Sequence, residues 1–571
     1  MKEKEAASSV FLPAAAVFLI AGAAFIFLRS PNYFAVDGAL RALEVYQKQR
    51  PFLHPNNHLL YPFNLYLWST LLHALRIRPG SPLGFLAIAQ SMNAIAAAAS
   101  AAMLYGIAYL SSRSALAASL AAGGWGVSRA VLAHATNSAE PMVGVLWSIA
   151  AVALALYGIA RHYRWTAAAA GLLLALAMAT YQTTVLLGAP IFFLLCQYPA
   201  SGPMPGAKHA AASPSPWRLL KSRLPDGLWF LAGFTAGIPI IYGPAYYLSG
   251  TRGLAEMFHR FLRVDAAQVY GGASAMKAAA VLPGLAYALF PCLPQQCGFR
   301  CLAAPEYRLW IPVAAAAVSA AAAALAALLV LARRAWRKMT ARERAGTVAC
   351  GIAFLATVIP SVVWMPAYDK FWLQPLACLF LGAAVVLPAA WRTAGGPRRR
   401  ARLLLWLGGV FIAVLALSNL AAAWNAARQP PPSLAEAQEV ARLTATRDLV
   451  VGDWNSVFLL YDNLWAARGN GFNLPTQALP GASSAAAHLQ DAIQNTRKTG
   501  GRIFFLGLLD LSESEWKPFL GDQLKLPYSA VAEYRRCSQV IRSFPAQDRT
   551  VTLRQYTPCG GAGGGKKESA E

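Results

Sequence analysis

The chain reads as a multi-pass α-helical membrane protein with a small C-terminal α/β domain outside the bilayer. Three observations predict this. Of its 571 residues, 57% are hydrophobic and only 13% charged, a balance foreign to ordinary soluble domains. Apolar runs recur from residue 11 to residue 422, and beyond Trp424 the sequence turns to alternating strand-like and helix-like stretches. Lys and Arg number 50 against 25 acidic residues, a net charge of +25, and the densest basic clusters fall in alternate loops between apolar runs. That placement accounts for the excess by membrane topology. It argues against nucleic acid as a partner, since no basic helix or RNA-binding motif accompanies the charge.

The first apolar run, 11–28, follows Lys2 and Lys4 and ends at Arg29-Ser30-Pro31, which is no small-residue cleavage site. It reads as an uncleaved anchor. Further runs fall at 84–110, 115–133, 141–160, 165–180, 183–199, 227–249, 308–332, 346–364, 372–391 and 402–422. Each is near the roughly 17–25 residues that a bilayer requires, giving about eleven spans. An odd number puts the termini on opposite sides. Arg113, Arg161 with Arg164, Lys208 to Arg223, Arg333 to Lys338 and Arg398 to Arg400 all fall inside if the N-terminus is cytoplasmic. The loops 30–82, 134–140, 250–307 and 365–371 then face outward, as does the chain after 424. The stretch 59–75 carries Pro62 and Asn64 and is followed by Arg76 and Arg78. Counting it as a span would put every later basic cluster outside, so it reads as a helix in the outer interface, with Tyr61, Tyr66 and Trp68 at headgroup level. The location expected is therefore a cell inner membrane.

Three regions follow: a transmembrane domain, 1–424; an extracytoplasmic α/β domain, 425–559; and a Gly-rich tail, 560–571, expected to be disordered. A Pro-rich linker at 429–432 leads into a helix near 434–446. Strands are expected at 448–453, 502–507, 538–543 and 550–556, with helices near 456–468 and 484–498. No phosphate-binding glycine fingerprint occurs there, and a packing or acceptor-docking role fits. Cys292, Cys297 and Cys301 share one outer loop, and Cys537 and Cys559 share the C-terminal domain, so an oxidising compartment permits a bond within each group. Cys196, Cys350 and Cys378 sit in or beside spans as packing residues.

Ionisable groups beside a membrane are costly to desolvate, so those in the outer loops are the candidate site. Asp37, a few residues past the first span, could act as a general base; Asp-Gly before Ala39-Leu40-Arg41 equally suits a helix N-cap. Glu140 lies in the short turn 134–140 before Pro141. It is either N-terminal helix electrostatics or a second carboxylate that meets Asp37 and orients the acceptor or shares a metal. His54 and His58 are candidates for hydrogen bonds to phosphate or sugar, or for ordering their loop; a metal site would need a third ligand from elsewhere. Gln182 occupies a polar break between two short apolar runs. Lys370, among Trp364, Tyr368, Phe371 and Trp372, is a phosphate partner or an interfacial anchor. Arg260, with Arg252 and Arg263, adds further phosphate candidates.

An acid after the first span (Asp37), an acid after the third (Glu140), a polar break between short spans (Gln182) and a late Tyr368-Asp369-Lys370-Phe371 turn follow in an order that resembles the GT-C integral-membrane glycosyltransferases. The nearest group in layout is the bacterial one similar to protein O-mannosyltransferases and lipid A aminoarabinose transferases. The resemblance covers roughly residues 10–425. Relatives often carry Lys where this chain has Gln182, and an Arg-Tyr pair where it has Lys370. The family implies a polyprenyl-phosphate sugar donor, an acceptor that is lipid, glycan or protein, inversion at the anomeric carbon, and Asp37 as base or acceptor-orienting group. No cofactor is expected beyond a possible divalent metal. The alternative is a transporter or flippase of lipid-linked sugars, which intramembrane charges and repeated halves would favour.

Overall fold

The computed structural model describes residues 2–29, 36–46, 59–80, 82–199, 216–248, 273–292, 308–366, 368–393, 398–428, 432–452, 471–473, 485–516, 528–545 and 550–559. His54, His58, Arg252, Arg260, Arg263, Cys297, Cys301, the expected helix at 456–468 and the tail lie outside them. The chain forms two compact units, residues 1–80 with 84–429, and residues 430–571 with 81–83.

The first unit is helical. Its elements are α1 (Lys2–Phe27), α2 (Val36–Tyr46), α3 (Leu60–Ala74), α4 (Pro82–Ser112), α5 (Ala115–Gly126), α6 (Arg129–Ala135), α7 (Pro141–Arg161), α8 (Arg164–Thr180), α9 (Gly188–Gln197) and α10 (Pro216–Leu248). Then come α11 (Ala275–Ala279), α12 (Val281–Leu289), α13 (Trp310–Ala335), α14 (Ala341–Val363), α15 (Leu373–Thr393) and α16 (Arg398–Arg428). Most apolar runs read from the sequence lie on one of these helices; 115–133 is divided between α5 and α6, and 183–199 between a 3-10 segment and α9. Among the described residues, eight helices are long and apolar enough to cross a membrane, and α5 with α6, bent by 63°, makes a ninth. The runs 165–180 and 183–199 form the shorter α8 and, through a 3-10 segment Gln182–Leu187, α9. The interfacial candidate is α3, at 15 residues shorter than a perpendicular span requires.

Small residues let these helices approach one another, as is usual where lipid rather than water surrounds them. Ala151, Ala155, Ala167, Ala170 and Ala349 are buried with Leu174, Ile191 and Phe230 in one cluster. A side chain at Gly171 would run into the backbone of α10 at Phe230. The most enclosed of the long apolar helices is α15 with the 3-10 turn before it. Its start is pinned by Trp125, whose Nε1 donates to the Leu373 carbonyl at 3.0 Å.

The second unit has α17 (Pro432–Leu443), β1 (Leu449–Gly452), β2 (Gly471–Asn473), α18 (Ala485–Lys498), β3 (Ile503–Leu506), α19 (Glu513–Trp516), α20 (Tyr528–Arg536), β4 (Ser538–Pro545) and β5 (Thr550–Tyr556). The sheet runs β2-β1-β3-β5-β4, with β1 parallel to β2 and β3, and β5 antiparallel to β3 and β4. Strand alternation divides its core between two faces. Val451, Ile503 and Phe505 pack with Leu489 and Ile493 of α18, while Val450, Phe504 and Leu506 pack with Ala437 and Val440 of α17. The strand β2 was not anticipated, because three residues carry too little pattern. Cys537 and Cys559 are joined by a disulfide, one of the pairings the sequence allowed.

Asp448, at the entry to β1, is buried and accepts hydrogen bonds from Arg502 Nη2 at 2.7 Å, from Arg502 Nε at 3.1 Å, and from the amides of Ala445 and Arg502. Burial opposes its charge, but these donors outweigh burial and hold the carboxyl below its ordinary 3.8. A depressed acid contributes stability that is complete above 3.8 and is lost as pH falls through the folded value. Hydrogen-exchange protection of β1 and β3 in the full chain should therefore drop below about pH 4. Asp448→Asn should lower protection at neutral pH and remove that acid dependence.

Candidate functional site

Two structural features converge on the turn between α6 and α7. The first is the turn itself, residues 136–140. Asn93 of α4 is fully buried and donates through Nδ2 to the carbonyls of Asn137 at 2.9 Å and Ala139 at 2.6 Å. Tyr61 of α3 donates to the carbonyl of Ser138 at 2.5 Å, and Asn137 Oδ1 accepts from the Ala139 amide at 2.8 Å. Three consecutive carbonyls are thereby held, which fixes the backbone leading into Glu140.

The helix α2 docks on the same turn. A Cβ at Gly38 would collide with the Ser138 carbonyl oxygen, so only glycine permits this approach. Asp37 precedes Gly38 and falls in the first turn of α2, which starts at Val36, rather than at the N-cap position. Its backbone thus neighbours the turn that carries Glu140. Pro141 takes the first position of α7 as expected, and Glu140 makes no capping hydrogen bond.

The second feature is the 3-10 turn Asp369–Trp372 before α15. Its own geometry is fixed by Trp372, whose Nε1 donates to the Pro366 carbonyl at 2.8 Å. Lys370 is 9% exposed, so it is no interfacial anchor. Its Nζ lies 3.7 Å from Glu140 Oε1 and 4.6 Å above the centre of the Tyr368 ring. Tyr181 donates to the Lys370 carbonyl at 3.5 Å. Asp369, the residue before, turns to α6: one carboxylate oxygen lies 3.3 Å from Arg129 Nη1 and the other 2.9 Å from His134 Nε2.

Arg129 also donates to the hydroxyl of Tyr287 at 2.8 Å and to the Tyr287 carbonyl at 3.3 Å, with its guanidinium over that ring. Burial pushes the Tyr287 hydroxyl up to about 12, although Arg129 opposes the shift, so the phenol stays uncharged and Asp369 supplies the counter-charge. Asn419 of α16 caps the bend between α5 and α6, donating to the carbonyls of Val127 at 2.8 Å and Leu289 at 2.6 Å. The kink that presents Arg129 is thus held from a distant helix.

Of the sequence-predicted residues, the structure brings Glu140 and Lys370 together, and it sets Gly38, the neighbour of Asp37, against the turn that leads into Glu140. Gln182 opens the 3-10 segment, half-buried, and among the described residues it hydrogen-bonds to none of these groups; its neighbour Tyr181 does. Sequence reading passed over Arg129, His134 and Asp369. Arg129 had a signal, since a charge within an apolar run is a functional candidate by default. Among the described residues no three His, Cys, Asp or Glu side chains converge to hold a metal ion.

No protein-family model matches the chain, and no curated protein sequence does. Similar solved structures include ArnT from Cupriavidus metallidurans bound to undecaprenyl phosphate, with a TM-score of 0.48 and 14% identity. The same protein in its apo state has a TM-score of 0.41 and 15% identity. Each comparison covers 96% of this chain and 98% of the other.

Proposed function

We propose that the chain is a glycosyltransferase that moves a sugar from a polyprenyl-phosphate donor to a lipid, glycan or protein acceptor on the outer side of a cell inner membrane. The observation that carries this reading is the buried Glu140–Lys370 pair, set beside the α2 backbone that bears Asp37. Buried charges are expensive, and a pair kept at the mouth of a polar loop points to a charged substrate.

In this reading Lys370 pairs with the donor phosphate and Glu140 holds the ammonium in place. Arg129 and Lys370 are balanced by Asp369 and Glu140, so a phosphate anion calls for added positive charge. Arg260 and its neighbours in 250–277, with His54 and His58, are the candidates to bring it. Asp37 takes the proton from the acceptor hydroxyl or amine as the new bond forms at the sugar C1. The C1–oxygen bond to phosphate breaks, and its electron pair leaves on the polyprenyl phosphate. That leaving group needs no general acid, so positioning and electrostatics supply most of the acceleration. The disulfide Cys537–Cys559 is in keeping with a C-terminal domain on the oxidising side.

The test is release of sugar from a polyprenyl-phosphate sugar pool by the reconstituted protein, followed by mass spectrometry. Loss of sugar from its lipid supports the reading. Movement of intact lipid-linked sugar across the bilayer, with no cleavage, would replace it with a flippase.

A further inference from the structure

The geometry around Asp369 decides which nitrogen of His134 carries a hydrogen. Arg129 and His134 each address a different oxygen of that carboxylate, at 3.3 and 2.9 Å. A carboxylate beside a guanidinium only accepts, so Nε2 is the donor of the histidine ring. The other nitrogen, Nδ1, is buried and has no hydrogen-bond partner among the described residues. With Nε2 as the donor, the uncharged tautomer presents Nδ1 as a lone pair. His134 is 5% exposed, and its orientation is locked by a carboxylate that is itself locked by Arg129.

A buried acceptor without a donor can take one from a ligand. Its chemistry selects the ligand: the Arg129 guanidinium nearby repels a cation, while the nitrogen lone pair and Asp369 repel an anion. An uncharged hydrogen-bond donor remains, and a sugar hydroxyl is one. The position is also adjacent to the candidate site at both ends. His134 stands six residues before Glu140 in the same α6–α7 connection, and Asp369 immediately precedes Lys370.

We propose that His134 Nδ1 accepts a hydrogen bond from one hydroxyl of the sugar carried by the lipid donor, and so helps to set which sugar is used. The proposal rests on the glycosyltransferase reading; the role is binding, and no proton is transferred. A pocket that hydrogen-bonds a substrate hydroxyl discriminates strongly against an analogue that lacks it, because the protein group is left unpaired.

The test is a set of polyprenyl-phosphate donors, each lacking one hydroxyl of the sugar released by the wild type. Wild type, His134→Leu and His134→Gln are compared by kcat/KM. Wild type should lose about tenfold or more for one position in the set. His134→Leu should use that analogue and the parent donor equally well. His134→Gln, which keeps an acceptor oxygen, should retain part of the discrimination. If His134→Leu is inactive throughout, retained discrimination in His134→Gln still supports the proposal. Parallel losses across the whole set in every protein would overturn it, leaving the ring a packing element of α6. A wild type that releases sugar from no donor ends the glycosyltransferase reading as well, whereas turnover without a His134-dependent hydroxyl ends this inference alone.

Discussion

Replacing Asp369 with alanine should destabilise the membrane unit by about 3–5 kcal/mol and abolish turnover, because it strips a buried guanidinium of its counter-charge. The Arg129 side chain is 8% exposed. Its other partners, the carbonyl and hydroxyl of Tyr287, are neutral and cannot replace a carboxylate. The same substitution frees the His134 ring and loosens the turn that places Lys370 opposite Glu140. Asp369→Asn should fall between, keeping an acceptor without the charge. The double variant Arg129→Met, Asp369→Ala removes both charges and should recover most of the stability but none of the activity. Denaturation in detergent, read beside turnover, separates the two effects. A single alanine variant within about 1 kcal/mol of wild type would show that water reaches Arg129, and the cluster would lose its claim to be a closed site.

The sequence carried the helices well and the site only in part, for different physical reasons. An apolar run of about 20 residues has few alternatives in a bilayer, and each of those read from the chain is helical. The sheet was legible at 449–452 and 503–506 because three apolar residues between Asp448 and Gly452, and four between Arg502 and Gly507, suit strands covered on both faces. Glu140 and Lys370 were found as isolated polar residues next to Pro141 and among aromatic side chains. Their partnership was not, since they are 230 positions apart and are joined by the packing of α15 against α5 and of the 3-10 turn before it against α6. His134 and Asp369 stood inside motifs quoted for other residues. Their importance comes from a contact between two turns that no local pattern encodes. Arg129 was hidden for another reason: it lies in an apolar run that bends by 63°, and a straight span would have carried it into lipid.

Asp37→Asn should lower turnover by about a hundred- to ten-thousand-fold while leaving the fold intact. Asparagine keeps the size of the side chain and its capacity to satisfy a helix N-terminus, but it cannot take a proton. The helix position of Asp37 rests on the next residue, since Gly38 alone permits the first turn of α2 to lie against the Ser138 carbonyl. A Gly38→Val variant should therefore reduce turnover too, by displacing α2 from a turn that Asn93 and Tyr61 hold from the other side. The two losses differ in kind. Asp37→Asn should depress kcat with little change in KM for the lipid donor, whereas Gly38→Val should disturb both. Equal turnover by Asp37→Asn and wild type would dismiss Asp37 as the base. The role would then pass to Glu140, a carboxylate that the same turn already presents; Lys370 beside it would act less on phosphate than on keeping that carboxylate ionised.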